Sequence, residues 1–206
     1  LDAVLSGRPE DRRAFIEEHV LPLEADPANF AEHENIPEDR LKGVIADLTV
    51  AENLTLEQID DFTQMGHLNH RKMSETAQKL IADFQIKAKP ADRVRTLSGG
   101  NIQKIILART LSREPSIVIA AQPTRGLDIG ATEYVHEKLL EQKARGAAVL
   151  LVSEDLDETL ILSDRILVIY KGQIVGEFDA ENVNLDHISL LMTGSTIDTA
   201  AAALER

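Results

Sequence analysis

The stretch Leu97-Ser98-Gly99-Gly100-Asn101-Ile102-Gln103-Lys104 decides how this 206-residue chain is read, because two adjacent glycines there open a segment with helical periodicity. Ile102, Ile105, Ile106 and Ala108 recur at three-to-four-residue spacing and supply an apolar face, which puts the glycines at a helix entrance and not in a hairpin. A helix entrance offers unpaired backbone N–H groups and the positive end of the helix dipole, and glycines let an anion come close. Ser98 adds a hydroxyl donor beside them. The turn has the chemistry to hold a phosphate, although two glycines taken alone are more often plain turn chemistry.

Beyond this turn the chain alternates. A β-type run over 116–122 leads into Pro123-Thr124-Arg125-Gly126-Leu127-Asp128, followed by a helix over 131–144, a strand over 147–153 and a helix over 156–162. A strand over 165–171 turns at Gly172 into a second run over 173–178, a hairpin by its β-branched residues and central glycine. Such alternation predicts a parallel sheet covered by helices. Residues 51–95 carry no convincing strand, and Ala77, Leu80, Ile81 and Phe84 mark one face of a helix. Pro9 to Val20 reads as a capped helix, and 195–206 as a frayed, Ala-rich tail.

Three segments stand in a telling order: Leu97 to Lys104, then Ile119-Ala120-Ala121-Gln122-Pro123-Thr124-Arg125-Gly126-Leu127-Asp128, then Leu151-Val152-Ser153-Glu154-Asp155-Leu156-Asp157-Glu158. They resemble the signature, the Walker B with D-loop, and the switch of ABC transporter ATPases. The chain is most similar to the second nucleotide-binding domain of bacterial sugar and nucleoside importer ATPases, in which two such domains share one polypeptide. The wording of Ala120 to Asp128 and of Ser153 to Glu158 resembles the nucleoside branch. Ile36-Pro37-Glu38-Asp39-Arg40, Thr49 to Leu54, Leu162 to Ile166 and Gly172 to Glu177 extend the resemblance over roughly residues 36–194.

The resemblance implies an α/β fold, a P-loop NTPase-like ABC ATPase domain with a parallel sheet core and a helical subdomain. Its parts are then a divergent or truncated N-terminal piece of the core over 1–50 with the Q-loop near 36–40, a helical subdomain over 51–96, the core with signature, Walker B, D-loop and switch over 97–194, and a tail over 195–206. Leu5-Ser6-Gly7 resembles the end of the helix that follows a phosphate-binding loop. Nowhere in the sequence is there a Gly-x-x-x-x-Gly-Lys-Ser/Thr run, so the chain has no Walker A loop of its own. If Leu5-Ser6-Gly7 does continue such a helix, the loop lies just upstream.

The resemblance also assigns roles. Ser98, Gly99, Gly100 and Asn101 would bind the ATP of a partner domain, and Asp128 would sit in the D-loop touching that domain. Where the family places a magnesium-binding aspartate and a water-polarising glutamate, this sequence has Ala121 and Gln122; Glu154 replaces the switch histidine, and Glu38 takes the Q-loop position. Alanine offers no oxygen to a metal, a neutral amide is a poor base, and a carboxylate beside phosphate is repelled. The expectation is a site of its own that does not hydrolyse, no metal ligands of its own, and a signature that completes the partner's site with ATP and Mg2+. The alternative is a regulatory module in which nucleotide closes a dimer without turnover. An ABC-type head of a DNA-repair or chromosome protein ranks last, since no heptad stretch appears.

Composition bounds the partners. With 43% hydrophobic residues the chain can bury a sizeable core, and its longest apolar runs are too short to span a bilayer. Membrane contact must then go through partners, which the resemblance implies are integral permease subunits and, indirectly, a solute-binding protein, at the cytoplasmic face of a bacterial membrane. The absence of cysteine excludes disulfides and thiolate metal sites, and a net charge of −13 argues against a nucleic-acid partner. His67 and His70 stand at i, i+3 without a third ligand nearby, the pattern of ordinary surface residues. Asp155, Asp157 and Glu158 sit near a helix start, where capping explains them.

Overall fold

The computed structural model describes residues 3–6, 33–64 and 67–194. Along the chain the elements are β1 (Ala3–Ser6), β2 (His33–Ile36), α1 (Val50–Thr55), β3 (Thr63–Gln64), β4 (His67–Leu68), α2 (His70–Asp83), α3 (Gly99–Leu111), β5 (Ile117–Ala121), α4 (Ile129–Ala144), β6 (Ala148–Val152), α5 (Leu156–Leu162), β7 (Arg165–Tyr170), β8 (Gln173–Asp179) and α6 (Leu185–Met192). They fall into two compact units. The first takes its described residues from Leu1–His33, Ser116–Gln122 and Leu139–Arg206, the second from Glu34–Pro115 and Pro123–Lys138.

In the first unit, strands run parallel in the order β5-β6-β1-β7, and β8 adds an antiparallel edge. β7 shows why this sheet forms. Ile166 and Val168 pack with Ile188 and Leu191 of α6, while Leu167 and Ile169 pack with Val152. A strand apolar on both faces must be covered on both, and its run of Ile-Leu-Val-Ile reads accordingly. The hairpin from β7 to β8 turns on Lys171 and Gly172, both at positive φ (49° and 76°), the backbone hand that a tight two-residue hairpin requires.

Two sequence expectations are corrected here, and one element is added. Leu5 and Ser6 do not end a helix: they stand in β1, where Leu5 is in register with Val152 on one side and Leu167 on the other. A short apolar run bounded by glycine fits a buried strand as well as a helix end, and pairing on both edges decides for the strand. Residues 51–95 do contain strands, the two-residue antiparallel pair β3 and β4, too short for periodicity to register. α6 was not foreseen; Asn184 caps it by accepting from the N–H groups of Asp186 and His187. The helix expected over 9–20 and the tail over 195–206 lie outside the described residues.

The second unit is built around α3. Ile102, Ile105, Ile106, Leu107, Ala108 and Leu111 are all buried, so this helix is apolar nearly all round. α1 packs against both α2 and α3, contributing Val50 and Leu54 to a core that includes Met73 and Ala77. Arg109 of α3 is buried too; its Nε lies 2.7 Å from Glu57 and its Nη2 donates to the Gly43 carbonyl at 2.8 Å. No described helix is long and apolar enough to cross a membrane.

Candidate functional site

In the second unit, Ser98 is the N-cap of α3, with φ −68° and ψ 156°, and its side chain caps no amide. The first intrahelical bond runs from the Ile102 N–H to the Ser98 carbonyl at 3.0 Å, so the N–H groups of Gly99, Gly100 and Asn101 precede the helical ladder. The Ser98 hydroxyl oxygen instead accepts from Asn101 Nδ2 at 3.0 Å, and Asn101 Oδ1 accepts from the Lys87 N–H at 2.8 Å. The Asn101 side chain thus serves the turn itself, leaving the Ser98 O–H and the glycine amides as the donors of the helix entrance. Lys104, one turn further on, lies 4.1 Å from the centre of the Tyr134 ring and donates to the Gln85 carbonyl. Burial, with a smaller repulsion from Lys87, holds the Lys104 ammonium below its ordinary pKa.

The same unit brings the other expected residues to this entrance. Glu38 forms an ion pair with Arg125. Arg40 donates through Nη2 to the Arg125 carbonyl at 2.6 Å. Its guanidinium also lies against Gly99, where an added Cβ would meet Nη1 at 2.7 Å. Gly100 is closed in by Ala131, whose Cβ would lie 3.3 Å from one built on it. Asp128 caps α4 by accepting from the Ala131 N–H at 2.9 Å. The residue that follows it, Ile129, is 80% exposed, an apolar side chain left in water at the edge of the turn.

Ala121, Gln122 and Glu154 belong to the first unit, at the carboxyl ends of β5 and β6, the edge where open α/β sheets place their ligands. Ala121 is in register with Val152, and its methyl group packs on the cluster of Val152, Leu167 and Ile169. Gln122 is 7% exposed and donates its N–H to the Val152 carbonyl at 2.7 Å. Its φ of 47° is a left-handed conformation that glutamine seldom adopts. Glu154 is exposed just past β6. Asp155 is the N-cap of α5, as the acidic cluster suggested, accepting from the N–H groups of Asp157 and Glu158.

Sequence reasoning passed over two features. Glu158 is 3% exposed and accepts from the Ser153 hydroxyl at 2.6 Å, a buried pair that fixes the segment carrying Glu154. The Ser-x-x-x-x-Glu spacing is its only signal, and a weak one. Arg40 stands in the Ile36–Arg40 motif, and nothing local says that it reaches a residue 85 positions along the chain. His67 and His70 are both exposed, and no group of three or more metal-ligating side chains stands among the described residues.

A family model described as ABC transporter matches residues 18–125, more than half of the chain. The chain belongs to the ABC transporter family. As an ABC transporter chain it is 42% identical over 173 residues to the guanosine import ATP-binding protein of Bacillus subtilis, covering 82% of this chain and 34% of that protein. It is 40% identical over 189 residues to the glucose import ATP-binding protein of Haloferax volcanii, covering 88% and 34%. The chain therefore spans about a third of the length of these curated relatives. Among solved structures, the dimeric post-hydrolysis state of an ATP-binding cassette bound to ADP and Pi superposes with a TM-score of 0.69 at 19% identity, covering 88% of this chain and 86% of that one. The fold is accordingly that of an ABC ATPase, P-loop NTPase-like, with its parallel sheet and helices.

Proposed function

We propose that this chain is the ATP-binding part of an importer for nucleosides or sugars, and that its helix entrance at Ser98-Gly99-Gly100 completes an ATP site held mainly by a partner domain. The observation that carries this reading is the state of that entrance. Among the described α-helices, α1, α2, α4, α5 and α6 have a side chain from Thr49, Asn69, Asp128, Asp155 or Asn184 bonded to an amide of the first turn, whereas Ser98 leaves those of α3 open. The names of the relatives, import ATP-binding proteins for guanosine and for glucose, supply the substrate class.

On this reading the Ser98 hydroxyl and the Gly99 and Gly100 amides hold the γ-phosphate of the partner's ATP, each charge-assisted bond contributing about 1.5–3 kcal/mol. ATP supplies the phosphoryl group, and Mg2+ is held by the partner's side. Asp128 keeps the start of α4 and the exposed Ile129 in place at the face toward that partner. The chain's own carboxyl-edge residues do not fit a metal-dependent hydrolytic site. Ala121 offers a methyl group already packed in an apolar cluster, Gln122 a neutral amide, and Glu154 an exposed carboxylate that repels phosphate. Glu38, at the Q-loop position, is engaged by Arg125. Hydrolysis then belongs to the composite site, and this chain alone is inactive and lacks a Walker A loop. Partners are a second nucleotide-binding domain on the same polypeptide, integral permease subunits and, through them, a solute-binding protein, at the cytoplasmic face of the membrane; no nucleic acid is involved.

The replacements at Ala121, Gln122 and Glu154 also favour a second reading, a nucleotide-gated dimerisation module without turnover. Gly100→Asp separates the two. A Cβ there would meet Ala131 Cβ at 3.3 Å, so the start of α4 has to give slightly, and the carboxylate opposes phosphate. Turnover of the assembled ATPase is expected to fall by about tenfold or more, the loss of one such bond or worse. Turnover within about twofold of wild type contradicts the composite site.

A further inference from the structure

The segment from Pro37 to Gly43 is fastened to α3 at two places. At one end, Gly43 comes so close to the helix that an added Cβ would lie 2.7 Å from Ile106 Cδ1. Its carbonyl accepts from Arg109 Nη2 at 2.8 Å. At the other end stands Arg40, whose own backbone is held in a tight turn by the Lys42 N–H on the Asp39 carbonyl at 2.9 Å and the Gly43 N–H on the Arg40 carbonyl at 3.2 Å.

From that turn the Arg40 guanidinium reaches into a slot with glycine on two sides. The three atoms nearest to a Cβ on Gly99 would all be of Arg40: Nη1 at 2.7 Å, Cζ at 3.4 Å and Cδ at 3.9 Å. A Cβ on Gly126 would meet Nη2 at 3.1 Å, and Gly126 has φ +67°, a conformation that favours glycine independently. Between them Nη2 donates to the Arg125 carbonyl at 2.6 Å. Arg125 in turn carries the ion pair with Glu38, which closes the circuit back to the segment bearing Arg40. A planar guanidinium with donors on several edges fits this slot; a single ammonium on a flexible stem cannot lie flat against one backbone while bonding another.

We propose that Arg40 is a positioning residue that pins the Ser98–Asn101 turn to the Thr124–Asp128 turn, so that both meet a nucleotide-bound partner at fixed spacing. This rests on the reading of the first turn as part of an ATP site. Both turns lead straight into helices, α3 and α4, that are too stiff to correct their relative placement. The pin also sets a fixed positive charge against Gly99 of the first turn.

Hydrogen exchange on this chain tests the pin without any partner. The Leu127 N–H bonds the Thr124 carbonyl at 3.0 Å and reports the second turn. Arg40→Ala is expected to speed its exchange by about tenfold, the equivalent of one charge-assisted bond, while the amides of α3 beyond Ile105 keep their protection. Arg40→Lys is expected not to restore it. Gly99→Ala in the wild-type background displaces the guanidinium and gives the same acceleration; in the Arg40→Ala background it adds nothing, because its nearest neighbours are gone. Unchanged exchange at Leu127 in Arg40→Ala overturns the proposal whatever the activity. In the assembled ATPase, Arg40→Ala is expected to lower kcat by about tenfold with KM within about twofold. Faster exchange with an unaltered kcat overturns the assignment of these turns to the ATP site, and with it the part given to Arg40 in turnover.

Discussion

The starts of α1 and α3 are made by the same chemistry put to opposite use. At α1, Thr49 Oγ1 accepts from the Glu52 N–H at 3.2 Å and Glu52 Oε2 accepts from the Thr49 N–H at 2.7 Å, so the helix closes its own entrance. At α3, Ser98 is also a cap-forming residue in the right extended conformation, yet its oxygen is turned to Asn101 and the amides of Gly99 and Gly100 stay open. A side-chain cap is worth about 0.5–2 kcal/mol to a helix. α3 forgoes it while five other helices take it, which is what the proposed role requires, since donors must then be left for a ligand outside the chain. Sites that bind are commonly less stable than they could be made.

The contrast predicts unequal responses to the same surgery. Asp155→Ala removes an oxygen that serves two amides of α5 and is expected to lower unfolding stability by about 1–2 kcal/mol in urea titration, whereas Ser98→Ala costs less than about 0.5 kcal/mol. Equal losses would mean that Ser98 caps after all. A smaller effect concerns α1. The Thr49 amide, and secondarily the Thr49 hydroxyl, hold the Glu52 carboxyl below its usual value of 4.5. A carboxylate with a depressed pKa in the folded chain stabilises it above the unfolded value, and that contribution is lost as pH falls through the folded one. Glu52→Gln is therefore expected to cost at most about 0.5 kcal/mol at pH 7, this half-buried group being partly screened by solvent, and nothing near pH 2. A cost that persists at acid pH assigns the effect to packing.

Much of this is legible in the sequence. The α3 entrance, the β7–β8 hairpin and the alternation from β5 onward follow from local patterns, glycine positions and three-to-four-residue spacing, which act over short stretches of chain. What escaped was set by partners far away in sequence. Leu5 and Ser6 are a strand because β6 and β7 flank them, and no feature of four residues announces that. Arg40 covers Gly99 because a distant turn folds back over it, so its part in the site is tertiary from the outset. The left-handed Gln122 and the buried Ser153–Glu158 pair are likewise products of the sheet's carboxyl edge, not of the motif wording.

The most direct test is to give α3 the cap that it lacks. Ser98→Asp places a carboxylate at an N-cap whose backbone already has the required extended conformation, so it should bond the open amides and raise the stability of this chain by about 1 kcal/mol. In the assembled ATPase the same carboxylate occupies the phosphate donors, and turnover should fall by about tenfold or more. A variant that is more stable and inactive is the predicted result; one that is more stable and still turns over within about twofold of wild type would show that the open amides of α3 do not serve a phosphate.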